Sequence, residues 1–301
     1  MKTGFVSLVG RPNAGKSTLL NRLVGTKLAI VSDKPQTTRN RILGVRNYPD
    51  AQVVFLDTPG IHRPLHRMNV RMVDVAVDAM REVDVVGLVV DATERQGKGD
   101  SYVRDLVKHL QAPVFLILNK TDLMKKTRLL PILDEYSKLG RFAEIVPVSA
   151  ATGDNVDRLE RVIVDRLPEG ERLYPEDYLT DQPERFFAAE IVREKLLQFT
   201  HAEIPFSSAV IVDRFEEPVE GDGSRAILRL YCTIVVERES QKPIIVGRGG
   251  EMIKRIGTAA REELETFFKT RVFLDLHVRV RAEWRDDENV LGDIGVGRPV
   301  R

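Results

Sequence analysis

The sequence predicts an α/β domain with a mostly parallel sheet, followed by a smaller α+β domain. Three observations support this: short apolar runs alternate with helical stretches over residues 1–170, a Pro/Gly-containing polar segment follows, and a different order of elements begins after it. The 301 residues suffice for two hydrophobic cores. We expect a first domain at 1–170, a linker at 171–183, a second domain at 184–285 and a C-terminal tail at 286–301.

Four apolar runs in the first domain predict buried strands of the kind found in parallel sheets. They cover residues 4–9, 52–56, 113–118 and 144–148. Helices are predicted to begin at residue 18, to cover 101–110, and to close the domain at 155–167. Polar residues directly after such strands lie at the carboxyl edge of the sheet, where these folds bind ligands.

The loop after the first strand matches the phosphate-binding pattern G-x-x-x-x-G-K-[ST]. Its residues are Gly10, Arg11, Pro12, Asn13, Ala14, Gly15, Lys16 and Ser17, and Thr18 follows in the predicted helix. Backbone N–H groups and the helix N-terminus would hold phosphates, Lys16 would neutralise the β- and γ-phosphates, and the Ser17 hydroxyl would bind Mg²⁺. The pattern alone predicts a nucleoside triphosphate without selecting its base.

Asp57, Thr58, Pro59 and Gly60 follow the second strand. A carboxylate at Asp57 can hold Mg²⁺, and Gly60 lets its backbone N–H approach the γ-phosphate closely. The alternative interpretation is an ordinary surface turn. Upstream, Thr38 is favoured over Thr37 as the residue that completes the Mg²⁺ shell in the triphosphate state, the alternative being a solvated loop.

Guanine selection is predicted from the segment after the third strand. Asp122 can accept from both N1–H and the 2-amino group of guanine, a donor pair that adenine lacks. Lys120 would lie over the base or ribose, and Asn119 would tie this loop to the phosphate loop. Ser149 and Ala150, after the fourth strand, would offer a backbone N–H to the guanine oxygen. The ligand is therefore expected to be GTP or GDP with Mg²⁺.

The second domain is predicted to carry helix 184–200, strand 207–215, a turn at 220–223, strand 225–237, a short helix, a loop, helix 251–268 and strand 272–281. The loop is Gly247, Arg248, Gly249 and Gly250, a GxxG pattern between two helices. Such glycines admit a sugar-phosphate backbone, and Arg248 and Lys254 add positive charge, so single-stranded RNA is the expected ligand. A simple helix–helix turn is the alternative. Ile253 and Ile256 are expected in the core, and Trp284 at a strand end beside a solvated charge cluster.

Composition limits the other functions. Lys+Arg number 46 and Asp+Glu 45, a formal net charge of +1, so affinity for nucleic acid needs a local patch. Cys232 is the only cysteine, which excludes an intramolecular disulfide or a cysteine zinc cluster. The first strand begins at once and no apolar run approaches about 18 residues, so we expect a cytoplasmic protein without a signal peptide. Nothing in the sequence demands a dimer, and a monomer is expected.

The phosphate loop, the segment Pro35-Gln36-Thr37-Thr38-Arg39 and the segment 57–61 together resemble the Era family of GTPases, and the GxxG domain resembles that family's type II KH domain. The resemblance covers nearly the whole chain. It implies a P-loop GTPase domain, GTP hydrolysis, and binding to the 3′ region of small-subunit ribosomal RNA during assembly of the small ribosomal subunit. It also implies possible contact with the inner face of the cell membrane.

Ile61 occupies the place where many GTPases carry a glutamine that orients the attacking water. The resemblance therefore implies slow intrinsic hydrolysis, and it makes Asn13 a candidate for binding K⁺. Lys16, Thr38 and Gly60 are the expected catalytic residues. An alternative function is a regulatory GTPase at the membrane surface whose second domain binds a protein or lipid.

Overall fold

A computed structural model describes residues 1–62, 64, 66–95, 97–139, 142–218 and 226–296, without the side chains of Lys98 and Lys126. The chain divides into two compact units, the first ending at Asp181 and the second beginning at Gln182. Among the described helices, none is both long enough and apolar enough to cross a bilayer.

The sheet of the first unit has six strands in the order β2-β3-β1-β4-β5-β6. Only the pair β2 and β3 is antiparallel, so the predicted α/β fold with a mostly parallel sheet is confirmed. The strands are β1 Lys2–Val9, β2 Ile42–Tyr48, β3 Ala51–Asp57, β4 Val85–Asp91, β5 Val114–Asn119 and β6 Glu144–Pro147. Of these, β2 and β4 were not predicted from the sequence.

Helices cover both faces of this sheet. They are α1 Lys16–Val24, α2 Arg67–Asp78, α3 Lys98–Val107, α4 Leu129–Leu139 and α5 Val156–Arg166. Leu43 and Val45 of β2 share a core with Ala79, directly after α2, whereas Gly44 between them faces Val24 of α1. Because neighbouring strand residues point to opposite faces, α1 and α2 lie on different sides. The sheet is buried between them, which leaves its carboxyl edge for ligands.

The segment after α5 packs against the first unit. Gln52 of β3 accepts hydrogen bonds from the backbone N–H groups of Leu173 and Tyr174 at 2.8 and 3.0 Å. Tyr174 stacks on Tyr178 with ring centroids 4.7 Å apart, and Val45 donates to the carbonyl of Leu179. Much of the segment predicted as a linker therefore covers the edge of the sheet at β2.

The second unit contains a three-stranded sheet, β7-β8-β9, with β7 antiparallel and β9 parallel to the central β8. Side chains of β8 such as Leu230 and Ile234 share a buried core with α6 and α9, which confirms the α+β architecture. The elements are α6 Glu184–Phe199, α7 Ile204–Ser207, β7 Ser208–Glu216, β8 Ile227–Val236, α8 Lys242–Val246, α9 Glu251–Phe268, β9 Arg271–Val280 and α10 Glu288–Asp293. The predicted turn at 220–223 lies outside the described residues.

Trp284 corrects one sequence-based expectation. It lies in a short 3-10 helix after β9, is fully buried, and donates its indole N–H to the carbonyl of Ser207 at 2.9 Å. Val290 and Leu291 of α10 are also fully buried. Trp284 is therefore a packed residue rather than a strand end, whereas Asp286 and Glu288 of the predicted charge cluster are exposed as expected.

Candidate functional sites

The phosphate loop joins β1 to α1 and needs glycine at both ends. A Cβ at Gly10, where φ is 154°, would lie 2.2 Å from the carbonyl of Val89, and one at Gly15, where φ is 89°, would lie 2.2 Å from the amide nitrogen of Asn119. Lys16 is buried and donates to the carbonyls of Gly10 and Arg11 at 3.3 and 2.9 Å. Burial lowers the pKa of Lys16 to about 8, against the opposing effect of Asp57. An arriving phosphate would favour its charged form.

Three oxygen-bearing side chains meet beside this loop. The hydroxyl of Ser17 lies 2.6 Å from that of Thr38 and donates to Oδ2 of Asp57 at 2.7 Å, while Thr38 lies 3.3 Å from the same carboxylate oxygen. The other oxygen of Asp57, Oδ1, is buried without a hydrogen-bond partner among the described residues. Burial raises the pKa of Asp57, although Lys16 opposes this effect. A hard cation with oxygen ligands would satisfy the unpaired oxygen.

The structure separates the two threonines of the intervening loop. Thr37 donates its hydroxyl to the carbonyl of Lys34 at 2.5 Å, whereas Thr38 is buried and turned towards Ser17 and Asp57. Gly60 lies close to the phosphate loop, since a Cβ at Gly60 would lie 2.7 Å from backbone atoms of Pro12. Thr58 is buried and donates to the carbonyl of Leu8. The geometry supports the choice of Thr38.

Asn119, at the end of β5, connects three loops. Its amide nitrogen donates to the carbonyl of Ala14 at 2.9 Å, and its oxygen accepts from the backbone N–H of Ala150 at 2.9 Å. Asp122 accepts from the hydroxyl of Ser149 at 2.6 Å. The backbone N–H of Ser149 donates to the carbonyl of Asp154, so both predicted donors for a base oxygen already have acceptors. A bound guanine would have to share or displace one of these bonds.

A cleft of about 350 Å³ brings together the phosphate loop, Thr38, Gly60 and Lys120, whereas its lining does not include Asp57, Asn119, Asp122, Ser149 or Ala150. Its volume lies within the range of small-molecule sites. The lining comes from the phosphate loop, the loop before β2, Gly60 and the loop after β5, namely Pro12, Asn13, Gly15–Thr18, Ile30–Asp33, Gln36–Thr38, Gly60, Glu94 and Lys120. Pro59 is buried outside this lining. The side chain of Ile61 is buried in the core with Val9 and Leu88, so it cannot orient a water in the cleft.

Three acidic residues that pair with predicted site residues were not predicted from the sequence, namely Glu94, Asp100 and Asp91. Arg11 was predicted to bind phosphate, and the structure corrects this. Arg11 does not line the cleft; its guanidinium pairs with Asp100 at the start of α3 at 3.0 Å and with Glu94 at 3.2 Å. Lys120 pairs with Asp91, at the end of β4, at 2.5 Å. Asp91 also ends a mostly apolar run, residues 85–90, but Gly87 interrupts that run, unlike those before Asp57 and Asn119.

The GxxG loop joins α8 to α9 and exposes backbone. Gly247, with φ 75°, is held tightly, since a Cβ would lie 2.6 Å from Met252. Gly249 and Gly250 also have positive φ, yet no described atom lies within 4 Å of a Cβ built at either. No described side chain caps the N-terminus of the 18-residue α9. Backbone N–H groups there can face a phosphate, with Arg248 and Lys254 nearby in sequence.

A groove of about 300 Å³ lies between α9 and β9. It is lined by Ile253, Lys254, Gly257, Thr258, Arg261, Leu274 and Leu276. Ile256 is fully buried as expected, but Ile253 lines the groove instead of packing in the core. Apolar side chains beside two cations suit an unstacked base and its phosphate.

Each unit of the chain matches a known protein family. Residues 5–120 match the model of a 50S ribosome-binding GTPase family, and residues 203–285 match that of the KH domain. The chain is 50% identical over 294 residues to GTPase Era of Geobacter metallireducens, covering 98% of this chain and 97% of that protein. Identity to GTPase Era of Staphylococcus haemolyticus is 45%, with the same coverage.

Two solved structures are similar over 99% of this chain and all of theirs, each at 43% identity. One is a variant of Era from Aquifex aeolicus bound to GDP and AlF₄⁻, with a TM-score of 0.94. The other is Era in complex with MgGDPNP and nucleotides 1506–1542 of 16S ribosomal RNA, with a TM-score of 0.95.

Proposed function

This chain belongs to the Era family of GTPases, and we propose that it uses GTP to control binding of single-stranded RNA by its GxxG loop. The RNA we propose is the 3′ region of small-subunit ribosomal RNA, and the process is maturation of the small ribosomal subunit. The proposed binding and hydrolysis of GTP rest on the cluster of Ser17, Thr38 and Asp57 beside the phosphate loop. The proposed binding of RNA is supported by the solved Era complex with 16S ribosomal RNA.

GTP hydrolysis needs the phosphates held and their charge neutralised. Lys16, which lies among the carbonyls of the phosphate loop, would transfer its hydrogen bonds to the β- and γ-phosphates. Gly60 would present its backbone N–H to the γ-phosphate, because its position against Pro12 leaves no room for a side chain. Because the side chain of Ile61 is in the core, other groups must orient the water that attacks the γ-phosphate. We therefore expect slow intrinsic hydrolysis of GTP.

Ser17, Thr38 and Asp57 are the residues that would hold Mg²⁺. The unpaired Oδ1 of Asp57 and the two hydroxyls fit an oxygen-preferring cation. When bound, Mg²⁺ bridges phosphate oxygens and offsets the charge that develops on them. In the triphosphate state, that cation and the γ-phosphate would add contacts to the loop that carries Thr38.

Guanine would be recognised by Asp122, whose carboxylate accepts from Ser149 through Oδ1 alone. Asn119 joins this loop to the phosphate loop and to Ala150 by hydrogen bonds, which links the base subsite to the phosphate subsite. Lys120 lines the cleft beside the phosphate loop.

We further propose K⁺ as an accessory cation at Asn13. Asn13 has φ 63° and donates to the carbonyl of Asp33 at 2.7 Å, which brings the phosphate loop against the loop that holds Thr38. Asn13→Ala should remove any preference for K⁺ over Na⁺ in the hydrolysis rate. Equal wild-type rates in the two salts would contradict the proposal.

Binding of RNA by the GxxG loop is tested with Gly249→Asp, and Gly249→Asn is the matched control. The space around Gly249 accepts either side chain, and both residue types tolerate positive φ better than most. Only aspartate adds negative charge where phosphate should lie. Anisotropy with a labelled single-stranded RNA of the 16S 3′ sequence should show affinity falling at least about tenfold in Gly249→Asp and much less in Gly249→Asn.

GTP binding should survive in both variants. If RNA affinity is the same in all three proteins, or absent in the wild type, the second unit serves another partner, such as a protein or lipid at the membrane surface. With ribosomal RNA as the ligand, we propose that the protein works in the cytoplasm.

A further inference from the structure

Asp91 lies outside the phosphate, magnesium and guanine motifs, yet its carboxylate contacts a residue of the cleft. It ends β4 at the register position opposite Asn119 of β5, and the next backbone N–H, of Ala92, donates to the carbonyl of Asn119 at 2.9 Å. The end of β4 is thus joined directly to the loop that carries Lys120. Asp91 is 9% exposed, so its charge is largely removed from water.

Both oxygens of this carboxylate are engaged. Oδ1 accepts from the backbone N–H and hydroxyl of Thr93 at 2.9 and 2.6 Å, and Oδ2 pairs with the ammonium of Lys120 at 2.5 Å. Burial by itself would raise the pKa of Asp91, but the hydrogen bonds from Lys120 and Thr93 outweigh it and hold the pKa below its ordinary value. The carboxylate is therefore a fixed anion aimed by Thr93.

Lys120 needs such an anchor. Its backbone has φ 65°, and its flexible side chain lines the nucleotide cleft while paired with Asp91. A lysine held in place before the ligand arrives loses little conformational freedom on binding. An unanchored lysine would have to be ordered by the nucleotide itself.

We propose that Asp91 is a positioning residue for nucleotide binding, which holds Lys120 over the base subsite. The inference rests on the proposed role of Lys120. Because a base subsite is used by both nucleotides, Asp91 should matter equally for GDP and GTP, unlike the residues near the γ-phosphate.

The test is a double-mutant cycle on the full-length protein with fluorescent GDP and GTP analogues. Asp91→Asn keeps the shape and the acceptor for Thr93 but removes the charge, and should weaken both nucleotides about tenfold. In a Lys120→Met background the same change should have an effect of less than about twofold, because the partner is gone. Asp84→Asn is the matched control, since Asp84 precedes the opposite end of β4 and accepts from Phe5.

The outcomes separate the two claims. Wild-type nucleotide affinity in Asp91→Asn would overturn the positioning role. An equal loss of affinity with and without Lys120 would overturn it as well, because such a loss would come from a change in the sheet and not from the contact with Lys120. Undiminished GDP affinity in Lys120→Met would instead overturn the role of Lys120 on which the inference depends. The proposal is supported if Asp91→Asn weakens nucleotide binding when Lys120 is present and has little effect when Lys120 is replaced by Met.

Discussion

Single residues at the carboxyl ends of buried strands carry much of the nucleotide chemistry in this chain. Asp57, Asp91 and Asn119 are the last residues of β3, β4 and β5, so the parallel register places them along one edge of the sheet. Asp57 and Asn119 could be predicted from sequence because uninterrupted apolar runs precede them. Their partners could not be predicted, because hydrogen bonds between distant loops depend on the register of the strands.

Thr38→Ala tests the assignment of the Mg²⁺ shell. The hydroxyl lies 2.6 Å from that of Ser17, and its removal should lower the GTP hydrolysis rate at least about tenfold, or roughly 1.4 kcal/mol, while GDP binding changes little. Thr37→Ala is the control, since that hydroxyl donates to the carbonyl of Lys34. Single-turnover hydrolysis measures both. Equal losses in the two variants would contradict the choice of Thr38.

Asp122→Asn tests guanine selection. The new amide oxygen can still accept from Ser149, so the loop should persist, but the paired acceptor for guanine is lost. GTP affinity should fall by about 100-fold, and affinity for xanthosine triphosphate should rise above it. Competition titrations against a fluorescent GDP analogue measure both nucleotides. Unchanged preference for GTP would exclude Asp122 from the base site.

At the level of elements, strands with unbroken apolar runs were predicted and strands with a central glycine were missed. Gly44 interrupts β2 and Gly87 interrupts β4. In both places a Cβ would lie under 3 Å from a packed side chain, Val24 in one case and Ile117 in the other. These glycines are consequences of tertiary packing, which local sequence patterns do not report.

Tertiary packing also could not be predicted from the sequence at the C-terminal end of the second unit. Most helices and strands of 184–281 were predicted closely, and the GxxG pattern marks the loop between α8 and α9, but the one-turn helix α7 was missed. Residues after 281 have a charged composition that hides the packing of Trp284. The hydrogen-bond acceptor of that indole, the carbonyl of Ser207, lies 77 positions earlier in the chain.

Trp284→Ala should therefore destabilise the second unit by about 3–5 kcal/mol, from the lost aromatic packing and the lost hydrogen bond. Chemical unfolding of the full chain, followed by circular dichroism, measures this effect. Phe273→Ala is the control, because that side chain is 45% exposed and should cost much less. Similar losses in the two variants would show that Trp284 is not a core residue.

At the scale of the whole molecule, one compact unit carries the nucleotide cleft and the other carries the GxxG loop. Formal net charge is only +1, so local features must attract RNA. The exposed GxxG backbone, the N-terminus of α9 and the groove beside Lys254 supply them. The nucleotide cleft in turn contains a loop whose Thr38 can respond to a γ-phosphate.

The most direct test is ultraviolet crosslinking of the protein to RNA in cells, with sequencing of the bound fragments, for wild type, Gly249→Asp and Gly249→Asn. We expect a peak near the 3′ end of small-subunit ribosomal RNA for the wild type and Gly249→Asn, and its loss in Gly249→Asp. No enrichment there, or a peak unchanged in Gly249→Asp, would contradict the proposed binding of RNA by the GxxG loop.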